Sequence, residues 1–210
     1  MSFFLPWILI ALGSYLLGSI PAGFIAGRIR GIDLRLHGSG NIGATNALRV
    51  LGKPWGYGVF LFDFLKGLAP VIAAGFWGGY AGIHPASAPG ALAAVFALVG
   101  HSYPVWLGFR GGKGIATSAG VIVGLFPAAI LFCVGAWLLL FTTTRYVSVA
   151  SIAASIALPV SVAVLFLLHR TDWLGLVVSI LMCALAVWRH RSNISRLRAG
   201  TEPRFEKKKK

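Results

Sequence analysis

Lys113-Gly-Ile-Ala-Thr-Ser-Ala-Gly-Val-Ile-Val-Gly-Leu-Phe-Pro127-Ala-Ala-Ile-Leu-Phe-Cys-Val-Gly-Ala-Trp-Leu-Leu-Leu-Phe-Thr-Thr-Thr-Arg145 decides the fold of this chain. Nothing between its two basic ends is charged. Read as one helix over 114–141, it crosses a bilayer once and leaves Lys113 and Arg145 on opposite faces. Pro127, preceded by Gly124-Leu-Phe, offers a break instead, because proline removes a helical N–H and clashes with the preceding turn. Two helices of about 12 and 14 residues would each reach only about 18–21 Å, short of a hydrocarbon core of about 30 Å.

The rest of the chain selects between these readings. Hydrophobic residues make up 57% of 210 positions and charged residues 11%, against about 25% charged in a soluble domain. Apolar runs lie at about 3–26, 55–82, 88–108, 114–141, 147–168 and 173–188, each near the length a membrane helix needs. The first run has no basic segment before it and continues to about Ala26, so it reads as a membrane helix rather than a cleaved signal. Basic residues mark cytoplasmic loops. Arg28, Arg30, Arg35, Arg49 and Lys53 mark the first, Arg110 and Lys113 another, Arg145 a third, and the tail from Arg189 a fourth. Seventeen of the 19 Lys and Arg fall inside only if the stretch from Lys113 to Arg145 crosses twice. The expected fold is an all-α integral membrane protein of about seven transmembrane helices, two of them short, with the N-terminus outside and the C-terminus cytoplasmic. Residues 1–199 are expected to form one membrane domain and 200–210 a basic tail at anionic lipid. The formal charge of +14 is thereby assigned to orientation and lipid, not to nucleic acid. Cys133 and Cys183 lie in apolar runs and read as small hydrophobes.

Two glycine-rich polar segments interrupt this pattern: His37-Gly-Ser-Gly-Asn-Ile-Gly-Ala-Thr-Asn46, running on to Arg49, and Arg110-Gly-Gly-Lys-Gly-Ile-Ala-Thr-Ser118. Irregular backbone at a membrane must be buried in protein or line a wet cavity. Glycine lets amides approach a ligand, and Arg or Lys adds charge-assisted hydrogen bonds. The combination describes an anion site, with phosphate the best fit. Gly38, Ser39, Gly40 and Asn41 are also turn formers, a reading that leaves Thr45, Asn46 and Arg49 unexplained. If a helix begins near Ala44, Thr45 and Arg49 share a face. Arg110-Gly-Gly-Lys-Gly is not a nucleotide P-loop, since Leu107 and Gly114 stand where that motif requires Gly and Ser or Thr. Ser148 and Ser151 open a helix as caps, packing residues or ligands; His190 and Asn193 leave another at i, i+3. Asp63 and Lys66, also at i, i+3, most simply pair with each other, and His101 reads as a packing histidine. No paired carboxylates, His/Asp triad or metal cluster is visible, and no cofactor is expected. All the polar segments map to the cytoplasmic face of the expected topology and can converge there.

These residues resemble the bacterial acyl-phosphate-dependent glycerol-3-phosphate acyltransferases (PlsY). The resemblance is carried by Gly18-Ser-Ile-Pro21, Gly31-Ile-Asp33, Gly38 to Arg49, Asp63-Phe-Leu-Lys-Gly67 and Gly100-His-Ser-Tyr-Pro104. It continues through Phe109 to Gly114, Thr144-Arg-Tyr-Val-Ser148, His190 to Leu197, and Gly200-Thr-Glu202. These run in order from about Gly13 to Glu202. The resemblance implies transfer of a fatty acyl group from acyl-phosphate to the 1-hydroxyl of glycerol 3-phosphate, at the cytoplasmic face of a bacterial inner membrane. The products would be lysophosphatidic acid and phosphate. It places the key residues on Ser39, Arg49, Lys113, Ser151, His190 and Asn193, the phosphate loop on Gly111, Gly112 and Gly114, and a glutamate important for integrity on Glu202. Gly38, Gly40, Asn41, Thr45 and Asn46 are expected around the substrates. The family lacks the His-x4-Asp motif of acyl-CoA-dependent enzymes, and so does this chain.

Arg49, Lys113 and glycine amides suit two phosphate substrates that would otherwise repel, and electrostatic positioning lowers the barrier without an acyl-enzyme. Three proton routes stay open. A donor phosphate oxygen takes the hydroxyl proton; His190 takes it as general base; or Ser39 or Ser151 acts as a covalent nucleophile, the least favoured because no base lies beside it in sequence. The competing class is an anion permease, which would use broken helices and basic residues too, but near the bilayer midplane and commonly in repeated halves. No repeat is visible here. Acyl-chain length and oligomeric state are open.

Overall fold

The computed structural model describes residues 4–205, whose regular elements are all helices, with no strand among them. Two compact units form, Met1–Phe126 and Pro127–Lys210.

The first unit begins with α1 (Leu5–Ser19) and α2 (Ala22–Ile29). They are separated at Ile20-Pro21, where the residue before proline is pushed out of the α region, with ψ at 116°. A short 3-10 turn, Leu34–Leu36, leads through the first glycine-rich segment to α3 (Ala44–Leu51). Then come α4 (Lys53–Tyr80), α5 (Ala88–Ser102) and α6 (Ile115–Leu125). Small residues make the contacts between these helices. On α1 and α5, a Cβ at Gly18 would fall on the Ala97 carbonyl, and one at Gly100 on the Tyr15 carbonyl. On α4 and α6, Gly67 faces the Thr117 carbonyl and Gly120 the Phe64 carbonyl in the same way. In lipid, helices gain nothing by hiding apolar surface from one another, so close backbone approach at small residues holds them instead.

The second unit holds α7 (Ala129–Thr144), α8 (Val147–Leu167), α9 (Trp173–Arg189) and α10 (Arg191–Arg198). Asp172 caps α9, its Oδ1 accepting the Gly175 N–H at 3.0 Å. The corner between α7 and α8 is made by Arg145, whose φ is +64°. Arg204 and Phe205, within the stretch expected as a basic tail, hold this corner. The Phe205 N–H donates to the Arg145 carbonyl at 3.0 Å and Arg145 Nε to the Phe205 carbonyl at 3.3 Å. Arg204 Nε donates to the Thr144 carbonyl at 3.0 Å. The Lys207–Lys210 run lies outside the described residues.

The exterior of both units is strongly apolar. Leu131 is 74% exposed and Phe76 79%, while Ala93, Ala94 and Ala97 are fully buried. That inversion of size against burial is what a lipid-facing surface requires. Among the described residues, four segments are long and apolar enough to cross a membrane alone: Leu5–Ile29, Lys53–Tyr80, Ala88–Leu107 and Val147–Leu167. Trp173–Arg189 joins Arg191–Arg198 at a bend of 51°. The stretch from Lys113 to Arg145 is not one helix. It breaks over 126–128, around the expected Pro127, into helices of 11 and 16 residues.

Candidate active site

In the first unit, the Gly38–Asn46 segment is organised around Asn46, which is 1% exposed. Its Nδ2 donates to the Leu34 carbonyl at 3.1 Å and the His37 carbonyl at 3.0 Å, and its Oδ1 accepts the Ser39 N–H at 2.9 Å. Gly38 adopts φ +60°, and a Cβ there would run into the Asn46 amide oxygen. Asn41 folds back on its own turn, its Oδ1 accepting the Gly43 N–H at 2.8 Å. Asn41 and Asn46, expected around the substrates, thus direct these groups to building the loop. Just upstream, Asp33 caps the 3-10 turn and grips the Arg35 guanidinium, with Nη2–Oδ2 at 2.6 Å. The hydrogen bonds from Arg35 hold its carboxyl well below the ordinary carboxylate range. Ser39 and Thr45 are half-buried, Gly40 is exposed with φ +68°, and Arg49 stands exposed one turn along α3 from Thr45.

The second glycine segment is built differently from the expectation. The Gly111 N–H donates to the Ser102 carbonyl at 3.2 Å and the Gly112 N–H to the His101 carbonyl at 3.1 Å. These amides satisfy carbonyls at the end of α5 that the helix itself leaves open. Gly111 and Gly112 are glycine because His101 and Pro104 leave no room: a Cβ at 111 would meet the His101 carbonyl and Pro104, and one at 112 the His101 ring. For an anion, the segment offers half-buried Lys113, the left-handed Gly114 (φ +81°), and the first-turn amides of α6, which carry the positive end of the helix dipole.

Beneath these loops lies a buried charged cluster. Lys66 Nζ is 2.8 Å from Asp63 Oδ1, the pair expected from sequence, and donates to the Ile20 carbonyl at 2.7 Å. His101 Nδ1 sits 3.6 Å from the same carboxylate oxygen. Asp63 and Lys66 are each 3% exposed. Together with Ser19, Gly23, Ile42 and Pro104 they line one narrow cleft. The reading of His101 as a packing residue missed its place in this cluster, because Asp63 and His101 are too far apart in sequence for a spacing rule to join them.

In the second unit, Ser151 is buried at the start of α8, its Oγ accepting the Trp137 Nε1–H at 3.3 Å. His190 is 2% exposed at the junction of α9 and α10. Its Nδ1 lies 2.7 Å from the Ala186 carbonyl. A carbonyl only accepts, so Nδ1 carries a proton in this contact. Asn193 Nδ2 donates to Glu202 Oε1 at 2.6 Å, and Arg196 Nε to Oε2 at 2.8 Å. Burial pushes the Glu202 carboxyl up. The Ser148 hydroxyl beside it, Asn193 and Arg196 pull it down by more, so it stays below the ordinary glutamate value. The Asn193 Oδ1 is buried with no donor against it among the described residues. Ser39, Arg49 and Lys113 thus belong to the first unit, and Ser151, His190 and Asn193 to the second.

Residues 8–200 match a family model described as Glycerol-3-phosphate acyltransferase. Among curated relatives, the glycerol-3-phosphate acyltransferase of Synechococcus elongatus is 48% identical over 201 residues, covering 94% of each chain. That of Geobacter metallireducens is 47% identical over 199 residues, covering 95% of this chain and 97% of the relative. Among solved structures, the chain is similar to PlsY (YgiH), an integral membrane glycerol 3-phosphate acyltransferase, in its glycerol 3-phosphate form. The TM-score is 0.86 at 41% identity, over 95% of this chain and 96% of the other. The lysophosphatidic acid form matches with a TM-score of 0.83 at 40% identity, over 95% of each chain.

Proposed function

The chain belongs to the glycerol-3-phosphate acyltransferase family, and from that membership we propose the reaction it runs and the residues that run it. It is a multi-pass membrane enzyme that acylates glycerol 3-phosphate to lysophosphatidic acid. The donor is acyl-phosphate, the acyl group goes to the 1-hydroxyl, and inorganic phosphate leaves. The observation that carries the donor assignment is the build of the second glycine segment: one lysine, a left-handed glycine and a helix start. That is a cradle for a compact phosphate and lacks the pattern of a nucleotide loop.

Arg49 and Lys113 neutralise the phosphates so that two anionic substrates meet. The carbonyl carbon of the acyl-phosphate is attacked by the 1-hydroxyl, and the acyl–oxygen bond to phosphate breaks. The hydroxyl proton goes to a phosphate oxygen of the donor. Ser39, Ser151, His190 and Asn193 hold the substrates by hydrogen bonds, and Glu202 maintains Asn193. We place the enzyme in the bacterial inner membrane with seven crossings, the N-terminus outside and these residues on the cytoplasmic side.

The test is to mix the purified protein with acyl-phosphate and glycerol 3-phosphate, and to measure phosphate release and lysolipid. Both products are expected, and the same yield is expected with a chelator present. Acyl-CoA in place of acyl-phosphate is expected to give none. Comparable turnover with acyl-CoA would refute the donor assignment.

A further inference from the structure

The Asp63–Lys66–His101 cluster is costly for a helix interface. Two ions taken out of water lose several kcal/mol of hydration each, of which their mutual attraction returns only part. Elsewhere in this unit the closest backbone approaches between helices are at glycine, and the buried side chains around them are mostly small or apolar. Ionisable groups within membrane segments mark function more often than packing. The cluster's contacts lead to both basic loops. Lys66 Nζ holds the Ile20 carbonyl at 2.7 Å, where Pro21 ends α1. Three residues on from Ile20, Gly23 lies against the Ile42 carbonyl of the first loop. On the other side, His101 faces Asp63 through Nδ1, and its ring lies against Gly112, whose N–H it accepts on its carbonyl at 3.1 Å. Lys113 is the next residue.

We propose that Asp63, Lys66 and His101 are positioning residues: one buried ion network that fixes the Gly38–Asn46 and Arg110–Gly114 loops, and so places Arg49 and Lys113 on phosphate. Asp63 is the centre, paired with Lys66 toward one loop and facing His101 toward the other. The network touches no substrate; its effect passes through loop placement. This inference rests on the phosphate-binding reading of Arg49 and Lys113. A displacement of about 1 Å at such groups is enough to cost on the order of 100-fold in rate.

The test uses the full chain in bilayer discs, with kinetics for both substrates and thermal unfolding measured on each variant. His101→Ala is expected to raise KM for glycerol 3-phosphate or acyl-phosphate by roughly 10- to 100-fold, with a smaller change in kcat. His101→Asn, which keeps a nitrogen donor near the Nδ1 position, is expected to restore most of that loss while melting like His101→Ala. Gly112→Ala, whose Cβ would fall on the His101 ring, is expected to lose activity in the wild-type background and much less in His101→Ala. If His101→Ala does not fold, Asp63→Asn/Lys66→Met, which removes both charges together, carries the same KM expectation. A folded variant with unchanged KM and kcat overturns the proposal. So does loss of folding in both, which would make the cluster a stability element. Wild-type enzyme inactive on these two substrates would refute the underlying reading itself, a result separable from any variant's behaviour.

Discussion

Asn46 and His190 show how the role of a polar side chain depends on what its other atoms are bonded to. Asn46 uses both amide hydrogens and its oxygen on the loop that contains Ser39, so it shapes a site. His190 anchors Nδ1 on the Ala186 carbonyl, which fixes how its ring is turned. If the donor phosphate takes the proton, His190→Gln is expected to slow the reaction about 10- to 150-fold by loss of a hydrogen bond to a charged group, with a pH profile like that of the wild type. If His190 is the base, the wild-type rate falls toward acid with an apparent pKa near about 6–7 and the variant lacks that limb. Steady-state rates of the two proteins across pH, compared directly, decide it. Glu202 supplies a second pH test. Its carboxyl sits below the ordinary 4.5 in the folded chain, so the folded state favours the charged form. That stability is fully present above about pH 4.5 and disappears as pH falls through the lower folded value. Glu202→Gln is therefore expected to melt below the wild type at neutral pH, with the gap closing below pH 4. A constant gap across that range would mean the charge is irrelevant.

At the scale of elements, glycine does two unlike jobs that look the same in a sequence. Gly38 and Gly114 are in left-handed backbone, whereas Gly67, Gly120, Gly111 and Gly112 are needed because another segment occupies the space of a side chain. The family resemblance places Gly111 and Gly112 in a phosphate-binding loop. Their N–H groups instead close the end of α5, which no spacing rule reveals. Gly120→Leu on α6 is expected to force α4 and α6 apart, since its side chain meets the Phe64 carbonyl. A cost of about 1–3 kcal/mol or more is expected from overpacking, read as a lower unfolding temperature in detergent. Gly135, with open space around it, is the control: Gly135→Leu should leave that temperature nearly unchanged. The short helices α6 and α7 were legible as two because Pro127 and the charge distribution agreed. The pinning of Arg204 and Phe205 on the α7–α8 corner was not, because they carry no local pattern that names a partner.

For the whole molecule, the expected topology puts Arg145 on the cytoplasmic side and Arg170 outside. Single cysteines at 145 and 170, introduced into a chain lacking Cys133 and Cys183, are expected to react with an impermeant reagent on intact cells only at 170. Labelling at 145 would break the seven-crossing arrangement. Composition and the order of apolar runs were enough to determine an all-helical membrane chain, because a bilayer imposes length and polarity on each segment separately. The Asp63–Lys66 pair was legible for a related reason: i, i+3 neighbours on one helix meet whatever surrounds them. What only the tertiary structure decided is where groups distant in sequence end up. Examples are His101 beside Asp63, Glu202 beneath Asn193, and Asn46 inside the loop that it seemed to decorate. The second and third depend on how a tail and a loop fold back on their neighbours, and the first on which helices approach closely. That is set by small residues whose contacts are short-ranged and shape-dependent, and shape-dependent contact leaves no periodic trace in a sequence.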